Sequence, residues 1–359
     1  MRSAFSLSSA MISSALTILT TFTAVAWSQQ IADATTLASL YSLTTSTSIP
    51  FPTATLTSSD AQSFIVKDWS LSKGKIQQGG GNIAFVKDPF PNNPAPVSTS
   101  NITGPVLQVK YPAGAVGSEA SGMQLLSLWN TSDGSAFQSM LLTYEVAFDS
   151  NFDFVKGGKL PGLRGGPDPD GCSGGSAANG SNCFSSRLMW RTDAAGEVYA
   201  YIPTPNNICS NSDFLCNSDG FGTSIDRGSF AFVPGQWNRI TLIVRLNQPV
   251  DTANGEVALY YNNVKAIDEQ ALQYRAASSL SIGGLYFSTF FGGSDSSWAP
   301  PSDVSAYFRN IQLYGSSSPS NLTGAKVGGA PSSRPSFLAA ASWSAAALAL
   351  TGAVFGSLL

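Results

Sequence analysis

The sequence has no histidine in 359 residues. That absence removes Ser-His-Asp and Cys-His hydrolases, His-ligated zinc centres and any imidazole general base. What remains is carboxylate-pair hydrolysis, or base chemistry by lysine and tyrosine. Charge is also scarce, with Asp, Glu, Lys and Arg together making 11% of the chain. A local concentration of charge is therefore informative. There are only four cysteines, Cys172, Cys183, Cys209 and Cys216. Their spacing is not that of a zinc knuckle, and an even, clustered set in a secreted chain reads as disulfides with three connectivities open. Proximity favours Cys172 with Cys183 and Cys209 with Cys216. The sequence shows no internal repeat and no long amphipathic helix, and it implies no metal or cofactor.

The scarce charge gathers between Lys156 and Tyr201, where Lys159, Arg164, Ser185, Arg187, Arg191, Tyr199 and Tyr201 lie close together. Alternate residues of a strand share a face. Ser185, Arg187, Met189 and Arg191 then line one face, with Ser186, Leu188 and Trp190 on the other; Tyr199 and Tyr201 are likewise co-facial. Pairing of the two strands through a turn at Thr192 to Gly196 gathers two arginines and two tyrosines on one sheet surface. Such a face alone is as consistent with a solvated surface of cation-π pairs. Trp190 and Met189 read as packing residues, and Leu160-Pro161-Gly162-Leu163 could be a tight turn.

The motifs G-G-K-L-P-G-L, S-x-R-L-M-W-R and Y-x-Y-I-P, followed by F-S-T-F-F-G-G-S-D at Phe287 to Asp295, decide between these readings. In this order they resemble polysaccharide lyase family 14, from about Trp69 to Tyr314. The resemblance implies a β-jelly roll and cleavage of a uronic-acid polymer by β-elimination. It also implies that Lys159, Ser185, Arg187, Tyr199 and Tyr201 stand at substrate-contacting positions.

The remaining chain suits that expectation. Residues 1–28 read as a signal peptide, with basic Arg2, an apolar run and small residues at the exit. Residues 29–60 are rich in Ser and Thr and are expected to be a flexible lead-in, with room for a short helix around Ile31 to Tyr41. Residues 61–315 show short alternating runs between turn residues, as in an all-β sandwich of two antiparallel sheets forming one domain. Residues 316–336 read as a Ser/Gly/Pro-rich linker. The uncharged apolar tail 337–359, with Gly328 to Ala330 or Gly324 as attachment site, reads as a glycosylphosphatidylinositol signal; a plain transmembrane anchor is the rival. Asn101, Asn130, Asn179 and Asn321 begin glycosylation sequons. A monomeric, cell-surface extracellular protein is expected, touching membrane only through its anchor. The formal charge of −3 disfavours nucleic acid as a partner and means that attraction to an acidic polysaccharide must be local.

For elimination, Arg187 is the candidate to neutralise the uronate carboxylate, with Lys159, Tyr199 and Tyr201 as the available acid and base. Either Tyr201 or Lys159 can be the base, and a cationic cleft is expected to depress both types of pKa. Ser185, Arg191 and Arg164 are expected to bind substrate. Two rivals stand beside the lyase: a non-catalytic carbohydrate-binding cell-wall protein, and a glycoside hydrolase using Glu197, for which spacing supplies no second carboxylate.

Overall fold

The computed structural model describes residues 31–96, 104–217, 219 and 221–328. The expected signal peptide, the apolar tail and Asn101 lie outside the described residues. In chain order the strands are β1 (Thr45–Ser48), β2 (Ile83–Val86), β3 (Val106–Tyr111), β4 (Met123–Leu128), β5 (Ser139–Phe148), β6 (Gly157–Gly165), β7 (Phe184–Arg191), β8 (Ala195–Tyr201) and β9 (Phe214–Leu215). They continue as β10 (Thr223–Ala231), β11 (Trp237–Arg245), β12 (Thr252–Ala253), β13 (Gly255–Tyr261), β14 (Val264–Leu272), β15 (Ile282–Phe291), β16 (Val304–Ser316) and β17 (Ala325–Lys326). Two antiparallel sheets form a jelly-roll sandwich. One runs β14-β13-β11-β5-β16-β3-β2, and the other β4-β15-β6-β7-β8-β10-β9.

Alternation sorts the second sheet. Phe184, Leu188 and Trp190 of β7 and Val198 and Ala200 of β8 enter the core between the sheets. Their odd-numbered neighbours face the other way. In β6 a strict period of two would put Leu160 and Leu163 on opposite faces, yet both are in the core. The register against β7 slips between these two residues. Pro161, which has no N–H for the ladder, and Gly162 therefore form a bulge in a central strand rather than a turn. Glycine is required there because a Cβ on Gly162 would lie 2.0 Å from the Ser186 carbonyl oxygen and 2.5 Å from the Arg187 Cα.

The short helix allowed for around Ile31 to Tyr41 is present, but the lead-in is docked on the domain rather than free. Helix α1 (Ala34–Leu40), capped by Asp33, buries Leu37 and Ala38 with Leu141 and Ile243 on the outer face of the first sheet. Strand β1 pairs with the far end of β16. The reason is that the outer face of the first sheet carries an apolar patch, Leu141, Ile243, Ala258 and Tyr260, which needs a cover. Helix α2 (Ser58–Asp68), which the sequence reading did not identify, inserts Ala61 and Ile65 into the main core. At the other end β17 pairs with β12, and Gly324 packs against Ala253. The first part of the expected linker is thus docked on the domain. No helix among the described residues is long and apolar enough to cross a membrane.

Trp190 is fully buried, with the rings of Tyr111, Phe148, Phe152 and Phe291 around it. Trp190→Ala is expected to cost about 3–5 kcal/mol, the usual range for truncating a large core aromatic. Urea unfolding should show this as a lower midpoint at unchanged slope; a cost under about 1 kcal/mol would mean that the core does not close on this ring.

Candidate active site

The outward face of the second sheet forms the floor of a cleft of about 970 Å³. Register sets its centre: Arg187 lies opposite Tyr199, Ser185 opposite Tyr201, and Met189 opposite Glu197 across β7 and β8. On the other side of β7, Lys159 of β6 is opposite Met189. Lys159, Arg187, Met189, Arg191, Tyr199 and Tyr201 all line the cleft. The expected platform is assembled, with a three-residue turn at Thr192–Ala194 joining its strands.

Arg187 is 1% exposed, and among the described residues it pairs with no carboxylate. One Nη donates to Ser288 Oγ at 3.1 Å, the guanidinium lies 4.6 Å from the Tyr286 ring centroid, and Nε has no hydrogen-bond partner. Ser288 in turn donates to Gln124 at 3.2 Å. A buried cation without a counter-charge is costly, so this guanidinium is prepared for an anion arriving through the cleft.

Lys159 also lacks an acidic partner among the described residues. Its Nζ is 3.1 Å from Met189 Sδ and 4.4 Å from the Tyr199 ring centroid. Burial, and then the positive charges of Arg187 and Arg191, hold its pKa well below the ordinary lysine range; Glu197 opposes this only in part. The expected depression of tyrosine fails at Tyr199. There burial outweighs the nearby arginines and pushes the hydroxyl up to about 12, with Tyr201 adding to the rise. Tyr199 therefore remains a phenol, a donor rather than a base. The Tyr201 oxygen accepts from the Gly175 N–H at 3.3 Å, which leaves its own proton free to donate.

Gly175 is held there by the Cys172–Cys183 disulfide, one of two formed in the expected pairing, the other being Cys209–Cys216. The first packs with Met189, Tyr199 and Tyr201. The loop after the second brings Gly222 against both tyrosine rings, where a Cβ would come within 2.9 Å of them.

Two expected substrate contacts are placed elsewhere. Ser185 is fully buried and donates to the Cys172 carbonyl at 2.7 Å, under the disulfide-bounded loop. Arg164 donates to the carbonyls of Asp168 and Gly171 and ties down the same loop. Ser185 has the parity of Arg187, and the bulge in β6 brings Arg164 to the same side, but the returning loop covers them. Arg191 does reach the cleft, bound to Glu197 at 2.6 Å. Glu197 is 0% exposed, with Arg191 on one oxygen and Arg227 on the other. With both oxygens engaged and no surface on the cleft, Glu197 cannot reach a glycosidic oxygen, which removes the hydrolase rival's only candidate. Asn130, Asn179 and Asn321 are exposed, so the sequon in the disulfide loop points to solvent.

Sequence reasoning missed Gln124, Tyr286, Ser288 and Arg227. Alternation in the run from Leu285 to Phe291 could have put Tyr286 and Ser288 on the cleft face, because Leu285 and Phe287 are core. Nothing comparable marked Gln124 or Arg227.

The profile of the family described as polysaccharide lyase 14 matches residues 99–311. The crystal structure of the marine PL-14 alginate lyase from Aplysia kurodai is similar at 31% identity, over 74% of this chain and all of that one, with a TM-score of 0.59. Alginate lyase Aly36B, solved in one variant with an alginate trisaccharide, shares the fold at 21% identity, over 76% of this chain and 99% of that one, with a TM-score of 0.54. A protein named exolysin, from Paramecium bursaria Chlorella virus 1, is 27% identical over 183 residues, 46% of this chain. The matched part is 27% of that protein's length, so the chain spans about a quarter of that relative.

Competitive acylation of lysines across pH should give Lys159 a titration midpoint well below that of the exposed lysines. A midpoint within the ordinary lysine range would show that Lys159 is charged at neutral pH.

Proposed function

The chain belongs to polysaccharide lyase family 14, and from that membership we propose that its cleft cleaves an acidic, alginate-like polyuronate by β-elimination. The observation that carries the reading is the buried, uncompensated Arg187 beside Lys159, a lysine whose pKa burial and the neighbouring arginines hold well below the ordinary range. The uronate carboxylate pairs with Arg187, which stabilises the enolate-like charge that develops as the neighbouring C5–H bond breaks. The Lys159 amine takes that proton. The C5–H electron pair forms the C4–C5 double bond, the C4–O bond breaks, and Tyr201 protonates the departing glycosidic oxygen. The Gly175 N–H then supports the phenolate until solvent returns the proton from Lys159. Tyr199, as a phenol, donates to substrate.

A lysine base and a tyrosine acid suit a chain with no histidine. The alginate lyases among its structural relatives support an alginate-like substrate. Two disulfides and three exposed sequons support passage through an oxidising secretory route to the cell surface, where the tail would anchor the protein.

Protein spanning residues 29–328, incubated with alginate, polyglucuronate and pectate, should raise the ultraviolet absorbance of unsaturated uronate ends on at least one polymer. Tyr201→Phe and Lys159→Ala are each expected to lower kcat by roughly 10²–10⁴-fold, the usual contribution of a general acid or base. The reaction needs Lys159 neutral, so kcat/KM should fall about tenfold per pH unit below its depressed pKa and level off above it. New reducing ends without absorbance would mean hydrolysis and end the proposal; polymer binding without either product would leave a binding module.

A further inference from the structure

Besides the exposed Lys73, which pairs with Asp170, and the exposed Lys75, the cleft is lined by four cations of the second sheet, and these fall into two different pairs. Lys159 and Arg187 have no acidic partner among the described residues. Arg191 and Arg227 share one, Glu197, which is fully buried between them. Arg191 donates from Nε and one Nη to Glu197 Oε1 at 2.9 and 2.6 Å. Arg227 donates from Nε to Oε2 at 2.7 Å, and both arginines reach Ser224 Oγ. One carboxylate between two guanidiniums leaves a net positive charge. On each arginine the other terminal nitrogen has no partner among the described residues, and both side chains line the cleft.

Getting Arg227 there requires a departure from regular structure. Between Ile225 and Phe230 strand β10 leaves its ladder with β8, three residues more than the partner strand needs. Asp226 and Gly228 take left-handed φ values of 49° and 87° in this excursion. A bulge re-aims a side chain, and this one brings a 40% exposed guanidinium back over the sheet onto a carboxylate that Arg191 already holds. If Glu197 needed only a counter-ion, Arg191 and Ser224 would supply it.

We infer that Arg191 and Arg227, held in place by Glu197, form a second anion subsite, which binds the carboxylate of a uronate further along the chain from the one that reacts at Arg187. Arg191 is four residues from Arg187 on one strand face, about 13 Å along β7, and Arg227 is displaced from it toward β10. A ligand reaching both pairs must therefore carry carboxylates on more than one sugar, which a polyuronate does and a single uronate does not. Glu197 is a positioning residue: it touches no substrate, but fixes two long side chains that would otherwise lose rotamer freedom on binding. The subsite rests on the lyase reading only for the identity of its ligand.

The test separates the two. Arg227 is half-exposed, and its removal leaves Glu197 paired with Arg191, so Arg227→Ala should fold. In a Lys159→Ala background, calorimetry with oligouronates prepared from alginate should show Kd raised about tenfold by Arg227→Ala for long oligomers and unchanged for the shortest that binds, with Arg227→Lys recovering part of the loss. With Lys159 intact, the loss in kcat/KM on polymer should fall on KM. Glu197→Gln, where it folds, should reproduce this loss although both arginines remain. Unchanged affinity in Arg227→Ala, or equal weakening at every oligomer length, overturns the subsite. Length-dependent binding through Arg227 in a protein whose wild type produces no unsaturated ends would sustain the subsite and overturn the lyase reading.

Discussion

The two faces of one strand govern this molecule. Strand β7 must fill a core with Phe184, Leu188 and Trp190 while presenting Arg187, Met189 and Arg191 to the cleft, and a shift of one residue would exchange the sets. Such a slip would bury two guanidiniums and expose an indole and two further apolar side chains, so the core's demand for register also places the cations. The bulge at Pro161 and Gly162 belongs to the same constraint. It puts Leu160 and Leu163 into the core together, leaves Lys159 on the cleft face, and brings β6 close to the backbone of Arg187. Tyr144, from the opposite sheet, donates to the Pro161 carbonyl at 3.1 Å and satisfies a group that the bulge takes from the ladder.

Electrostatics in the cleft follow from how many carboxylates reach it. On the sheet, Glu197 is buried and neutralises about one of the four cations Lys159, Arg187, Arg191 and Arg227; the other acid, Asp170, is exposed and taken by Lys73. A fuller complement of acids would have opposed the lowering of the Lys159 pKa and given Arg187 an internal partner. With so little compensation, burial and like charge act in the same direction on Lys159, while at Tyr199 burial opposes the arginines and exceeds them. Burial thus favours the neutral form of both the amine and the phenol, with the cations helping at the first and yielding at the second. That combination suits removal and delivery of a proton without an imidazole.

Much of this was legible in the sequence, because parity is a local property. The sandwich, the co-facial Arg187, Arg191, Tyr199 and Tyr201, and both disulfides follow from residue spacing. Parity does not reveal what lies over a face. Ser185 and Arg164 are on the expected side, but the Cys172–Cys183 loop folds back over them and takes up their hydrogen bonds. Arg227 lies in an excursion from a ladder, where alternation has no meaning. The Thr- and Ser-rich lead-in appeared flexible because its own apolar content is low; what orders it is an apolar patch of Leu141, Ile243, Ala258 and Tyr260, supplied by strands far along the chain.

The overall charge of −3 then ceases to conflict with an acidic ligand. Several of the acids lie on the opposite sheet in their own ion pairs: Glu145 with Arg239 and Arg309, Asp88 with Arg309, and Glu256 with Arg245. At physiological ionic strength the screening length is about 8 Å, shorter than a sandwich is thick, so those charges are weakly felt in the cleft. A polyanion approaching the second sheet meets local cations rather than the average charge of the molecule. Long-range steering is correspondingly weak, and under the proposed elimination selectivity arises at contact, where a carboxylate supplies the counter-charge that the fold withholds from Arg187.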